Sequence, residues 1–231
     1  MMSVPTIAFF DVDETVITVK SMFRFLEFYL AATGRPPEEY RRIRAELKAL
    51  TESGMSREDT NRRYYRSFAG EPVARVRELG QDWFDQERRA GGLFHLATVG
   101  SLALHHFAGH KTVLVSGSFP PCVQPVATAV GADAVLCTVI READAEYVGV
   151  VDRPMIGAAK ADAARQFADA DGVELIDCWA YGDHASDLGL LSAVGHPVVV
   201  GGDPVLADHA QRHHWRRLAA SGEFVAAAAS S

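Results

Sequence analysis

Three cysteines among 231 residues, Cys122, Cys137 and Cys178, are too few and too scattered for a disulfide framework or a thiolate metal site. Such sparing use suits a reducing compartment, so a cytoplasmic location is expected. At least two of the three fall in apolar runs that read as buried strands. No apolar run reaches the ~18 residues needed to cross a bilayer, so a membrane partner is not expected. The N-terminus lacks a basic segment and a cleavage-like site, because Phe9-Phe10 runs straight into Asp11; no signal peptide is expected. Basic residues are in deficit, with a formal net charge of −7, which argues against a nucleic-acid partner. The clustered histidines, His105-His106 with His110 and then His213-His214, have no acidic or cysteine ligand close by, so a zinc site is not expected either. Internal repeats are absent, which removes the solenoid architectures.

What the chain does have is bulk. With 48% apolar residues it can bury a full α/β core and a small second domain. The run Thr6-Ile7-Ala8-Phe9-Phe10 reads as a central strand, and it empties into Asp11-Val12-Asp13-Glu14-Thr15. Ligands of open α/β sheets bind beyond the carboxyl ends of such strands. Asp11 and Asp13 are two apart, so on extended backbone their carboxylates point the same way and repel. The pair asks for a metal, a shared proton, or both; a turn or a helix cap is the plainer alternative.

Further segments deliver similar chemistry. Lys111-Thr112-Val113-Leu114-Val115 reads as a strand ending in Ser116-Gly117-Ser118, where a hydroxyl and free backbone N–H groups suit an oxyanion. Asp177-Cys178-Trp179-Ala180-Tyr181 reads as another strand, emptying into Gly182-Asp183-His184-Ala185-Ser186-Asp187. Lys160, beside the helical stretch 161–170, is a cation placed to meet a phosphate. Residues 20–110 carry a net charge of +3 and the rest of the chain −10. A basic insert over an acidic crevice would attract anions, unless Arg41, Arg42, Arg44, Arg62, Arg63 and Arg66 are simply solvated helix faces.

Between about 20 and 105, Met22, Phe25, Leu26 and Tyr29, then Tyr40, Ile43, Leu47 and Leu50, then Val73, Val76, Leu79 and Trp83 recur at helical spacing. Breaks at 34–37 and 54–56, with Ser56 as an N-cap, divide them into a bundle of four or five helices. After Ser116 the pattern predicts a helix near 121–130, a strand near 134–139 and a β excursion near 147–151. The Lys160 helix, the 177–181 strand, a short helix near Leu188, a strand at 197–200 and a last helix after Pro204 follow. The tail 226–231 reads as frayed.

In order and spacing, D-x-D-x-T, then V-S-G-S-F, then Lys160, then G-D-x-x-x-D resembles the four motifs of the haloacid dehalogenase-like hydrolases. The roughly 95-residue insert after the first motif is similar to the helical cap of the phosphoserine phosphatase-like branch. The resemblance implies a Rossmannoid α/β fold, a parallel sheet with helices on both faces, in which 1–19 and 106–231 form the catalytic core and 20–105 the helical cap. It implies a phosphomonoester hydrolase acting on a small-molecule phosphate monoester through an aspartyl-phosphate. Asp11 would be the nucleophile and Asp13 the general acid and base. Mg²⁺ would be held by Asp11, the Asp13 carbonyl and Asp183, with Asp187 acting behind them or through water. Ser116, Gly117 and Lys160 would receive the phosphoryl oxygens, and Thr15 would order the loop or cap it.

The departures concern the substrate. Phosphoserine phosphatases carry Glu where this chain has Lys20, Asn where it has Ser186, and Gly or Ser where it has Glu14. Phosphoserine itself is therefore disfavoured, and an ester with a further anionic or hydroxylated group suits Lys20 better. His184 sits inside the acidic loop at a position that varies in the family. A phosphotransferase acting on an alcohol acceptor and a catalytically idle binding or regulatory protein are the alternatives. Dehalogenation is disfavoured, because Asp13 supplies an acid that those relatives lack.

Overall fold

A computed structural model describes residues 6–219. Strand β1 (Ile7–Asp11) is buried along its whole length, as a strand covered on both faces must be. Helices α1 (Ser21–Ala32), α2 (Pro37–Glu52), α3 (Arg57–Tyr65) and α4 (Val73–Ala90) follow, then α5 (Leu96–Phe107). The chain continues with β2 (Lys111–Ser116), α6 (Pro120–Val130), β3 (Ala134–Cys137), the hairpin β4 (Ile140–Ala143) and β5 (Glu146–Val151), and α7 (Ala158–Ala170). It closes with β6 (Trp179–Gly182), α8 (Leu188–Ala193), β7 (His196–Val200), α9 (Pro204–His213) and β8 (Arg216–Leu218).

Six strands form one parallel sheet in the order β3-β2-β1-β6-β7-β8. Successive side chains alternate between two cores. Ala8, Phe10, Leu114, Tyr181 and Val198 face one core, shared with Leu102 of α5 and Val123 and Val126 of α6. Ile7, Phe9, Val113, Ala180 and Val199 face the other, against Ala164 of α7, Leu190 of α8 and Leu206 of α9. The fold is thus the α/β Rossmannoid arrangement read from the sequence. The strand order reverses at β1 and β6, which is where an open sheet of this kind opens a crevice.

In the helical segment, Phe25, Tyr29, Phe68 and Trp83 form an aromatic cluster. Phe119, which follows β2, joins it at 5.0 Å from Phe68, so insert and sheet share one core. Helix α4 packs on α6, and Gly80 allows it. A Cβ added at Gly80 would lie 2.2 Å from the Pro121 carbonyl oxygen, a backbone atom that cannot swing away. Gly80→Ala is therefore expected to destabilise the protein by about 1–3 kcal/mol, measured by denaturant unfolding; an unchanged midpoint would contradict the close approach. Helix α5 lies against β2 and α6.

Several local expectations are corrected. Asp177 belongs to a 3₁₀ turn (Leu175–Asp177), and β6 starts only at Trp179. Lys160 lies within the first turn of α7 rather than ahead of the helix. The 147–151 excursion has a partner strand, β4, and β8 adds an edge strand after α9. The cysteines are mostly not strand residues: Cys122 is buried in α6, Cys178 is buried just before β6, and only Cys137 lies in a strand, half-buried. Short, weakly alternating runs such as Arg216–Leu218 carry too little periodicity to announce a strand. Ser56 caps α3 as read, its hydroxyl accepting from the Asp59 N–H at 3.0 Å. The tail 226–231 lies outside the described residues. Among those described, no helix is long and apolar enough to cross a membrane.

Candidate active site

Strand register brings the motifs to one edge. Asp11 is level with Val115, one residue before Ser116, and Phe10 is level with Tyr181, one before Gly182. Three strands therefore release Asp11, Ser116 and Asp183 side by side. Helix α7 comes in underneath and puts the Lys160 ammonium against the Asp11 carboxylate and 2.6 Å from Asp187 Oδ1. All three groups are buried. Gly182 makes the last contact achievable, since a Cβ there would lie 2.7 Å from Asp187 Cβ.

Asp11, Asp183 and Asp187 each offer an oxygen within 4.8 Å of the others'. Burial pushes the Asp11 carboxyl up to about 6 against the pull of Lys160, with Asp187 adding repulsion. Burial, together with repulsion from Asp11 and Asp187, pushes Asp183 to about 8. The Thr15 hydroxyl donates to Asp183 Oδ1 at 2.8 Å, so Thr15 ties the first loop to the last one and is not a helix cap. Burial alone would lower the Lys160 ammonium's pKa, yet the Asp11 and Asp187 carboxylates outweigh it and hold it above its usual value. Fully ionised, three carboxylates against one ammonium carry a net charge of −2, which one divalent cation cancels. An all-oxygen, carboxylate-rich donor set fits a hard ion such as Mg²⁺.

Asp13 stands apart from this triad. Its Oδ1 is buried with no hydrogen-bond partner, and burial pushes its carboxyl up to about 7, Ser21 opposing and Asp11 adding. A carboxyl left near neutrality holds a proton to give. Ser116, buried at the end of β2, accepts from the Ser118 N–H at 3.0 Å. Lys20 is half-exposed and pairs with Glu14 at 3.1 Å. Glu14 holds a left-handed backbone with φ of 62°, a conformation that glycine adopts freely. Asp11, Asp13, Glu14, Lys20, Ser116, Lys160, Asp183 and Asp187 line one cavity of about 360 Å³.

A model of the haloacid dehalogenase-like hydrolases matches residues 8–192. The chain belongs to this family. A Mycobacterium tuberculosis protein named a probable phosphatase is 31% identical over 225 residues, covering 94% of this chain and 76% of its own. Among solved structures, a Bordetella pertussis Tohama I protein of unknown function superposes with a TM-score of 0.84 at 25% identity, covering 94% of this chain and 99% of that one. A phosphoserine phosphatase captured as a phospho-aspartyl intermediate analogue gives 0.64 at 19% identity, covering 89% and 91%, and shows the shared fold of that branch of the family.

The haloacid dehalogenase-like core is thus assembled from residues legible in the sequence, but its roof is not. Helix α3 adds Arg57, Thr60, Asn61 and Tyr64 to the cavity wall, beside Met22, Phe23 and Leu47. Asn61 is buried, and Arg57 Nη1 lies 2.9 Å from His184 Nδ1. His184 also accepts from the Ser186 N–H at 3.0 Å, and burial together with Arg57 lowers its pKa. The stretch 57–65 is polar almost throughout, so nothing in its sequence singled out Arg57 or Asn61 as wall residues. The arginines of the insert are largely paired: Arg41 with Glu38, Arg62 with Asp59, Arg63 with Glu46, while Arg44 stacks on Phe23 at 3.6 Å. Pairing of this kind orders these side chains but leaves the net charge of +3, which already counts their acidic partners, unchanged.

Proposed function

We propose that this chain is a Mg²⁺-dependent phosphatase that hydrolyses a small phosphate monoester, with Asp11 as nucleophile and an aspartyl-phosphate as intermediate. The observation that carries the reading is the buried Asp11, braced by Lys160, two residues before Asp13, whose buried Oδ1 has no hydrogen-bond partner and whose carboxyl is pushed up by burial. In this reading residues 1–19 and 106–231 do the chemistry, and 20–105 cover it.

The steps follow from charge. Asp11, beside Lys160, attacks phosphorus. Asp13 gives its proton to the departing oxygen and then, as a carboxylate, takes one from the water that cleaves the aspartyl-phosphate. The Ser116 hydroxyl and the Gly117 N–H receive phosphoryl oxygens, while Lys160 holds Asp11 and Asp187 in place and neutralises them. Phosphoryl transfer is helped mainly by such positioning and by electrostatic stabilisation. Asp11, Asp183 and the Asp13 carbonyl would hold Mg²⁺, with Asp187 behind them, and the ion would supply the remaining positive charge. The nearness of a relative named a probable phosphatase supports the same reading.

Hydrolysis of a generic aryl phosphate with Mg²⁺, and its loss in excess chelator, tests the proposal; undiminished rates in chelator would overturn it. Transfer of the phosphoryl group to added alcohols in preference to water would instead favour the phosphotransferase. Metal binding should also depend on pH with a defined sign. Carboxylates must lose their protons to bind a cation, and Asp11 and Asp183 are held up at about 6 and 8. Falling pH therefore restores protons that compete with the ion. Calorimetric titration with Mg²⁺ is expected to give an affinity about tenfold or more weaker at pH 6 than at pH 8.5, and equal affinities would remove the triad as the ligand set.

A further inference from the structure

Helix α3 makes contacts next to each segment of the candidate site. Tyr64 donates from its hydroxyl to the Met22 carbonyl at 2.6 Å, just beyond the first loop. Arg62 reaches the Val151 and Asp152 carbonyls at 3.4 and 3.1 Å, ahead of the Lys160 helix. Arg57 meets His184 in the loop of Asp183.

The most concentrated contact is on Gly117. Its carbonyl receives three side-chain donors: Asn61 Nδ2 at 3.1 Å, the Tyr65 hydroxyl at 2.9 Å and the Thr138 hydroxyl at 2.9 Å. Asn61 and Tyr65 are one helical turn apart and so share a face of α3. A carbonyl oxygen has two lone pairs, and three donors saturate it. The Gly117 carbonyl and the Ser118 N–H belong to the same planar peptide unit, so fixing one end fixes the other. That N–H is the donor held at Ser116 Oγ, 3.0 Å away. With its oxygen accepting from the Ser118 N–H, the Ser116 hydroxyl keeps its own proton free to donate, and Ser116 lines the cavity.

We propose that Asn61 and Tyr65 are positioning residues: acting through the rigid Gly117–Ser118 peptide, they orient the Ser116 hydroxyl, so that a competent phosphate cradle exists only while α3 is seated on the sheet edge. The inference rests on the reading of Ser116 as a phosphate-binding group. It makes the helical segment part of the chemistry and not only its cover. Neither residue touches the reacting atoms.

Near-isosteric variants test it. Tyr65→Phe keeps the ring packed on Tyr64 and Phe119 and removes only the donor; Asn61→Leu does the same for the amide. Each is expected to lower kcat/KM for an aryl phosphate about three- to tenfold and to weaken inhibition by inorganic phosphate by the same factor. In a Ser116→Ala background the two substitutions should cost little more, because the group they orient is gone. Losses that multiply fully in that background, or lost activity with phosphate inhibition unchanged, would overturn the inference alone. Full activity of Ser116→Ala by itself would overturn the phosphate-site reading and the inference with it.

Discussion

Asp11→Asn is expected to abolish turnover, by a factor on the order of 10⁴ or more, because the amide has no anionic oxygen to attack phosphorus. The geometry makes this substitution a clean probe. Asparagine keeps the size of the buried side chain, and Lys160 retains its second partner, Asp187, 2.6 Å away. The fold should survive, as a circular dichroism melt would report. The same melt repeated with Mg²⁺ should show a smaller rise in midpoint than for the unaltered protein, since one ligand charge is lost. Turnover within tenfold of the parent would remove Asp11 from the mechanism, and the search for a nucleophile would have to move to Ser116.

The second large effect is expected at Asp13 and should depend on the leaving group. Positioned acid catalysis contributes about 10²–10⁴-fold, but only where the departing oxygen needs a proton. Asp13→Asn should therefore lose that full factor on alkyl phosphates and far less on activated aryl phosphates, whose phenolate leaves unaided. The assignment rests on burial, which leaves Oδ1 without a partner and pushes the carboxyl up to about 7. Equal losses on the two classes of ester would mean that Asp13 serves as structure or as a ligand and not as the acid. Asp11 and Asp13 thus separate by substrate dependence, although they sit two residues apart on the same loop.

Lys20 is the residue whose meaning changes most between sequence and structure. Its charge invites a role in reading an anionic substrate, yet the ammonium is half-exposed and pairs with Glu14. Glu14 and Lys20, the two positions in the first motif's loop that the resemblance set apart, are joined in the structure as an ion pair. Exposed pairs of this type are individually weak, so substrate can displace one partner.

The sequence by itself determined the sheet and the acidic centre. Buried parallel strands are short apolar runs, and the residues leaving their carboxyl ends are fixed in position by the strand; reading the runs 6–10, 111–115 and 177–181, which fold as Ile7–Asp11, Lys111–Ser116 and Trp179–Gly182, therefore already places Asp11, Ser116 and Asp183 on one edge. Such chemistry is local, one motif to one strand end. Lys160 was legible as a cation for the site, but that it would brace Asp11 and Asp187 was not. Only the tertiary structure decided the roof: that α3 lies across the crevice, that Asn61 and Tyr65 meet on the Gly117 carbonyl, and that Arg57 meets His184. Helical periodicity reports which face of a helix is buried, but not what it is buried against. Asn61 and Gly117 are 56 residues apart, and Arg57 and His184 are 127 apart. Contacts at that separation are set by how the insert packs on the sheet through Phe119 and Gly80, a balance of shape and burial spread over many side chains, and no short stretch of sequence encodes it.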